Sequence, residues 1–386
     1  MASRARRIVV KIGSALLVDD QGRGAPLIRR TWLEALADDV AALHADGADV
    51  LIVSSGAIAV GRGPLGLARS QVRRALTLEE KQASAATGQI RLAHAYQDAL
   101  ARHSIVVAQL LLTFDDTERR RRHLNARGTV AALLKRRVVP VINENDTVAT
   151  EEIRFGDNDR LAARVAQMAS ADTLILLSDI DGLYERDPNA DPLAPFVPEV
   201  GEITPRIEAM AGAARPGYSS GGMVTKLAAA KIAMAAGCRM AIADGRADHA
   251  LARVMAGSRC TWFVPSQTPL TARKQWIAGS LKPVGTLVVD AGAAQALRAG
   301  RSLLPAGVVA VEGRFERGDP VVVREGGGAE IARGLVAYDA DDARRIIGHR
   351  SADIEEVLGF RGRAELVHRD DLVVTASAAP AVRVGA

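Results

Sequence analysis

A chain of 386 residues, 48% hydrophobic and 25% charged, is long enough for two or three domains with a large core and has the composition of a soluble globular protein. A formal net charge of +5 is too mild an excess to argue by itself for a nucleic-acid or membrane partner. Cys238 and Cys260 are the only cysteines, which excludes a disulfide framework and a cysteine metal cluster and fits a reducing cytoplasm, and no apolar run approaches a membrane span.

In chain order, the basic start MASRARR leads into an apolar run that stops at Lys11, too short for the core of a secretion signal. It reads as a buried strand, Arg7 to Ile12, broken by Gly13-Ser14. Thr31-Trp-Leu-Glu34 has the form of a capping box and predicts a helix to about His44, closed by Gly47. Asp49 to Val53 predicts a second strand, followed by Ser54-Ser55-Gly56 and a helix-like AIAV. Thr77-Leu-Glu-Glu80 caps a long helix through about Arg102. Strands are expected at Ile105–Leu112, Val138–Ile142, Thr173–Leu177 and Met240–Ala243, with helices at Glu118–Lys135 and Asn158–Ala169.

Between the last two strands lies AARPGYSSGGMVTKLAAAKIAMAA, residues 213–236, a glycine-bearing loop that becomes an alanine-rich helix with Lys226 at the junction. Such a junction offers backbone N–H groups and a positive dipole end to an anion, a polyphosphate above all. The alternation of apolar strands and helices predicts an α/β fold: an open, mostly parallel sheet sandwiched by helices, with ligands at the C-terminal strand ends. From about Lys282 short strands and Gly, Asp and Pro turns, with little helix, predict a small β-barrel-like module. The expected division is a catalytic domain over 1–265, a linker over 266–280, the module over 281–375 and a tail over 376–386.

Polar clusters fall at the strand ends: Lys11-Ile-Gly13-Ser14, Ser54-Ser55-Gly56, Asn143-Glu-Asn-Asp146, Gly156-Asp-Asn-Asp159 and Ser178-Asp179. With the Lys226 loop they supply two lysines, two glycine-rich turns and a mixed amide–carboxylate pocket. Phosphoryl transfer needs that set, because its transition state spreads negative charge over oxygens and calls for positioning and cationic stabilisation. Gly61-Arg-Gly63-Pro-Leu-Gly66 matches a dinucleotide fingerprint but follows helix-like sequence and contains Pro64, so it is discounted. Arg119 to Arg122 reads as a solvated helix face. No Walker A pattern, histidine metal spacing or Ser/His/Asp set is present.

The strings VVKIGS, IVSSGAIAVG, PVINENDTVATEEIRFGDND, LLSDIDGLY and SSGGMVTK resemble the motifs of the amino acid kinase family, and within it the glutamate 5-kinases. RSLLPAGVVAVEGRFERGD and EIARGLVAY resemble the PUA domain often joined to them. The resemblance implies ATP-dependent phosphorylation of the γ-carboxylate of L-glutamate, the first step of proline biosynthesis, in the cytoplasm. By motif, Lys11 and Lys226 would contact the phosphates and stabilise the transferring group, and Asp159 would hold those lysines. Ser55, Asp146 and Asn158 would bind glutamate. Lys11, Ser178, Asp179 and the run Ser220, Gly221, Gly222, Met223, Val224, Thr225 and Lys226 would bind ATP, with Mg2+ carried on its phosphates and no protein ligand for the metal. The family further implies feedback inhibition by proline and a homo-oligomer (dimer or tetramer), and the lability of an acyl phosphate product leads us to expect its hand-over to the following reductase.

This chain departs from the family pattern at Val224, which replaces a hydroxyl, and at Arg160, which is bulkier than expected and should face outward. Kinases of the same fold acting on acetylglutamate, aspartate or carbamate are disfavoured by the long segment 143–159 and the appended module. An RNA role for the module is disfavoured because Phe315, Tyr338 and Phe360 are its only aromatics and no dense basic patch accompanies them.

Overall fold

A computed structural model describes residues 7–19, 27–68, 72, 74–148, 158–212, 222–279, 282–326 and 328–375. The chain divides into two compact units, the first ending at Pro269 and the second beginning at Leu270. In the first, eight strands share one sheet: β1 (Arg7–Ile12), β2 (Asp49–Ser54), β3 (Val107–Leu112), β4 (Val139–Glu144), β5 (Thr173–Ser178), β6 (Glu199–Val200), β7 (Arg239–Asp244) and β8 (Cys260–Phe263). Their order across the sheet is β6-β8-β7-β5-β1-β2-β4-β3. All pairings are parallel except β7 with β8. The mostly parallel sheet expected from the apolar strands is observed, with two strands, β6 and β8, that the sequence reading did not place.

Strand alternation sorts the core into two layers. Ile8, Val10 and Ile12 of β1 join one cluster with Trp32 and Leu36 of α1 (Arg30–Ala45), Val60 of α2 (Ala57–Arg62) and Leu92 and Tyr96 of α3 (Leu78–Ala101). Val9 joins the opposite cluster with Val130 of α4 (Arg120–Lys135), Leu161 of α5 (Asn158–Ala169) and Leu227 of α6 (Met223–Ala235). β1 is therefore buried on both faces, which is why its sequence is continuously apolar up to Lys11.

Two local expectations are corrected. Thr31 is not a cap: α1 begins at Arg30, and Arg29 at its N-cap makes no side-chain cap bond. The chain reaches this point from a short ribbon in which Val18 pairs with Ile28, and the Arg29 N–H donates to the Leu17 carbonyl. Tertiary pairing thus starts the helix before the local box can act. The helix expected over 118–135 is α4, which starts at Arg120; a separate helix, Phe114–Glu118, precedes it, parted at Arg119, whose backbone is extended. Thr113 and Asp116 form a capping box that starts the first of them. The box at Thr77 and Glu80 caps α3 as its sequence predicts.

α2 and α3 cross where glycine meets glycine. A Cβ on Gly61 would lie 1.8 Å from the Ser84 carbonyl oxygen, and one on Gly88 1.9 Å from that of Ala57. The glycine at position 61 therefore serves helix packing, not a dinucleotide. Gly56 before α2 has φ +105°, a left-handed turn that glycine takes at no steric cost.

The second unit has its own core and a five-stranded sheet built from Gly285–Val289, Val308–Gly313, Pro320–Glu325, Glu330–Leu335 and Leu372–Val374. It holds more helix than the sequence reading allowed, at Ala291–Arg298, Ala340–Ile346 and Ile354–Leu358. Asp290 and Asp339 cap the first two, each accepting from the backbone N–H three residues on. The stretch read as a linker carries a helix over Pro269–Gly279. The expected tail, 376–386, lies outside the described residues.

Candidate active site

The expected residues gather at the C-terminal edge of the sheet, on two sides. Lys11 follows Val9 by two positions on β1, so it leaves the strand toward α5 and α6. Asp159 sits in the first turn of α5 and Lys226 in the first turn of α6. The Lys11 Nζ lies 2.6 Å from Asp159 Oδ1, and the Lys226 Nζ lies 3.2 Å from Oδ2. Thr225 Oγ1 donates to the same Oδ2 at 2.8 Å. Burial by itself would raise the Asp159 carboxyl, yet the charges of Lys11 and then Lys226 outweigh it and hold the carboxyl below its usual range.

All three groups are nearly sealed from water: Lys11 is 6%, Asp159 1% and Lys226 3% exposed. Two lysines converge on this one carboxylate, a buried cluster that sets cationic groups side by side. The N-terminus of α6 stands beside it. Gly222 is its N-cap, no side chain caps it and no acidic residue occupies its first turn. A phosphate there meets a dipole end and a lysine together.

On the opposite face of the sheet the site is built of amides. Asn143 shares a face of β4 with Val141, toward α3. Its Nδ2 donates to Gln89 Oε1 on α3 at 2.7 Å, and its Oδ1 accepts from the Glu144 N–H at 2.9 Å and from Asn158 Nδ2 at 3.1 Å. Asn158 Nδ2 also donates to Ser55 Oγ at 2.9 Å and to the Ser54 carbonyl at 3.1 Å. Asn158 and Asp159 are neighbours in sequence, so one helix start serves both sides. Asp146, just beyond β4, is buried; burial first and the nearby charge of Glu144 second push its carboxyl up to about 7.

The two parts of the edge are tied together. Gly13 N–H donates to the Leu177 carbonyl and Ser55 N–H to the Ile12 carbonyl, joining the ends of β1, β5 and β2. Ser178, buried at the end of β5, donates to exposed Asp179 at 3.0 Å. Met223 and Thr225 are half-buried and Val224 exposed. Ser220 and Gly221 lie outside the described residues, as do 149–157.

The sequence profile of the amino acid kinase family matches residues 6–244, and that of the PUA domain matches residues 285–358. Three curated relatives are named Glutamate 5-kinase. The chain is 65% identical to that of Paramagnetospirillum magneticum, over 96% of its own length and 98% of the relative's. It is 62% identical to that of Rhodospirillum rubrum, over 95% of this chain and 96% of that one, and 61% identical to one of Rhodopseudomonas palustris, over 96% of each. The chain belongs to the amino acid kinase family, among the glutamate 5-kinases.

For an amino acid kinase the edge has a simple division: cations and a helix N-terminus on the α5–α6 side, amides and carboxyls on the α3 side. Lys11, Lys226 and Asp159 come together, and Ser55 and Asn158 come together. Arg160 is exposed, as expected, with its guanidinium 5.1 Å from the centre of the Phe114 ring. Sequence reading missed Gln89, and it gave no separate role to Asn143 or Glu144 within their cluster. Gln89 carries no motif; the one local hint is Gly88, a glycine inside a helix, which marks close packing.

Proposed function

We propose that the chain transfers the γ-phosphoryl group of ATP to the γ-carboxylate of L-glutamate, giving γ-glutamyl phosphate for proline biosynthesis. The observation that carries this reading is the buried Lys11–Asp159–Lys226 cluster at the strand ends of a chain 65% identical to a protein named Glutamate 5-kinase. Lys11 and Lys226 contact the phosphates and follow the charge onto the transferring group, while Asp159 keeps them apart and aimed. Ser178, Asp179 and residues 220–226 bind the nucleotide. Ser55, Asp146 and Asn158 bind glutamate.

Asp159 already spends both oxygens on Lys11, Lys226 and Thr225, so its donor set does not suit a metal. Mg2+ would then be held chiefly by phosphate oxygens and water. Inhibition by proline at or near the glutamate site, a dimeric or tetrameric cytoplasmic enzyme and hand-over of the acyl phosphate to a reductase complete the reading. The PUA domain has no assigned part in the chemistry.

The deciding experiment is ATP turnover with Mg2+ and L-glutamate, trapping the acyl phosphate with hydroxylamine. Glutamate-dependent hydroxamate, absent with aspartate and N-acetylglutamate, is expected. A folded, ATP-binding protein that forms none would overturn the substrate assignment. A rate whose glutamate dependence proline leaves unaltered would remove the feedback.

A further inference from the structure

Gln89 has a buried amide with one end in use. The Glu144 backbone N–H fixes the atom it reaches on Asn143 as oxygen, which makes the other amide atom of Asn143 a donor. The atom of Gln89 that receives it, 2.7 Å away, is therefore the oxygen. That leaves Nε2, which is buried and has no acceptor among the described residues, on a side chain only 7% exposed. A buried donor without an acceptor is costly, and native structures seldom keep one without a use.

Gln89 also lines a cavity of about 160 Å3, together with Glu144, Asp146, Ala85, Ile90 and Leu111. A cavity of about 150 Å3 takes a benzene-sized molecule, which is the size of an α-amino-acid head with its first methylene. Its polar walls carry the two carboxyl groups of Glu144 and Asp146 and the unpaired amide donor of Gln89, beside Gln109, Asn145 and Thr147. An ammonium suits the carboxyls and a carboxylate suits the amide. An amino acid placed this way would have its side chain left over, with the Asn143–Asn158–Ser55 chain leading from Gln89 to the edge where Lys11 and Lys226 wait.

We propose that Gln89 is a specificity-determining residue for the acceptor, its Nε2 donating to the α-carboxylate of an amino acid whose ammonium lies between Glu144 and Asp146. This rests on the reading of the chain as a glutamate kinase. Gly88 gives the position its precision: α3 cannot shift relative to α2 without breaking the glycine contact, so Gln89 is held at a fixed depth. Selectivity follows from the same geometry. An acceptor without the α-carboxylate leaves the donor unpaired, as the empty site does, and gains nothing from it.

The test uses the full chain and the hydroxamate assay. Gln89→Glu keeps an oxygen to accept from Asn143 and replaces the free donor with a second oxygen, which also brings a negative charge. The expected result is a rise of tenfold or more in the KM for glutamate, with the KM for ATP within twofold. Glutarate, which keeps both carboxylates, should weaken as a competitor by a similar factor. 4-Aminobutyrate, which lacks the α-carboxylate, should compete no worse than before. A glutamate KM within twofold of the parent, or equal weakening of all three ligands, overturns the proposal and leaves Gln89 a structural support for Asn143. No glutamate hydroxamate from the parent chain would instead overturn the functional reading, before any variant is made.

Discussion

The residues that define the site carry their own predictions. Lys226→Ala removes the cation proposed to meet the transferring group, so kcat should fall by about 10²- to 10³-fold, the usual loss for one oriented electrostatic contact. Glutamate KM should stay near the parent value, because the proposed contact is to the phosphates and not to glutamate; steady-state kinetics reads both. Asp159→Asn removes the carboxylate that Lys11 and Lys226 share. Removing one member of a buried ion pair costs about 3–5 kcal/mol, and thermal denaturation should show the loss alongside inactivation. Asp146 gives a pH dependence. Its carboxyl, pushed up to about 7, is neutral well below that pH and charged well above it. An ammonium-bearing acceptor requires the charged form, so kcat/KM for glutamate should rise as pH passes through about 7, and Asp146→Asn should flatten that limb. The stability sign is opposite. Below the unfolded-state value near 3.8 both states hold the proton, and as pH climbs toward 7 the unfolded chain releases it first, so this group's contribution to stability is lost.

At the scale of elements, the α2–α3 crossing is the most exacting contact in the first unit. Gly88→Ala would set a methyl 1.9 Å from the Ala57 carbonyl, so the helices must part. Overpacking of this kind costs about 1–3 kcal/mol, occasionally more; the thermal midpoint should drop and glutamate KM rise together, since Gln89 moves with Gly88. Strand limits were legible to within about two residues because buried parallel strands read as unbroken apolar runs. Lys11, Asp159 and Lys226 were legible because each closes such a run or opens a helix beside glycine. Gln89 was not, since a single amide in the middle of a long helix has no pattern of its own and acquires its role only from Asn143 across the layer. Thr31 misled for a related reason: local capping chemistry was right in form, and the ribbon ahead of it had already started the helix.

For the molecule as a whole, every residue described at the site comes from the first unit, and the second has a separate core. A chain ended at Pro269 should therefore form glutamate-dependent hydroxamate at a rate near that of the full chain, measured in the same assay. The sheet divides the labour of the first unit. Its α5–α6 face supplies cations and its α3 face supplies amides, and both reach the same edge because strand side chains alternate while the strands run in one direction. The helices of the second unit went unread because short amphipathic stretches between turns look like loops when no strand period flanks them.

The double engagement of Asp159 has a stereochemical consequence. A carboxylate with one oxygen on Lys11 and the other on Lys226 and Thr225 is drawn toward those donors, which lowers its nucleophilicity. It is a poor candidate to accept the phosphoryl group and pass it on. Donor and acceptor must then meet directly, in line across the edge of the sheet. One displacement inverts phosphorus, whereas a phospho-aspartate relay of two would retain its configuration. ATP made chiral at its γ-phosphorus with sulfur and oxygen isotopes should hand glutamate a thiophosphoryl group of inverted handedness.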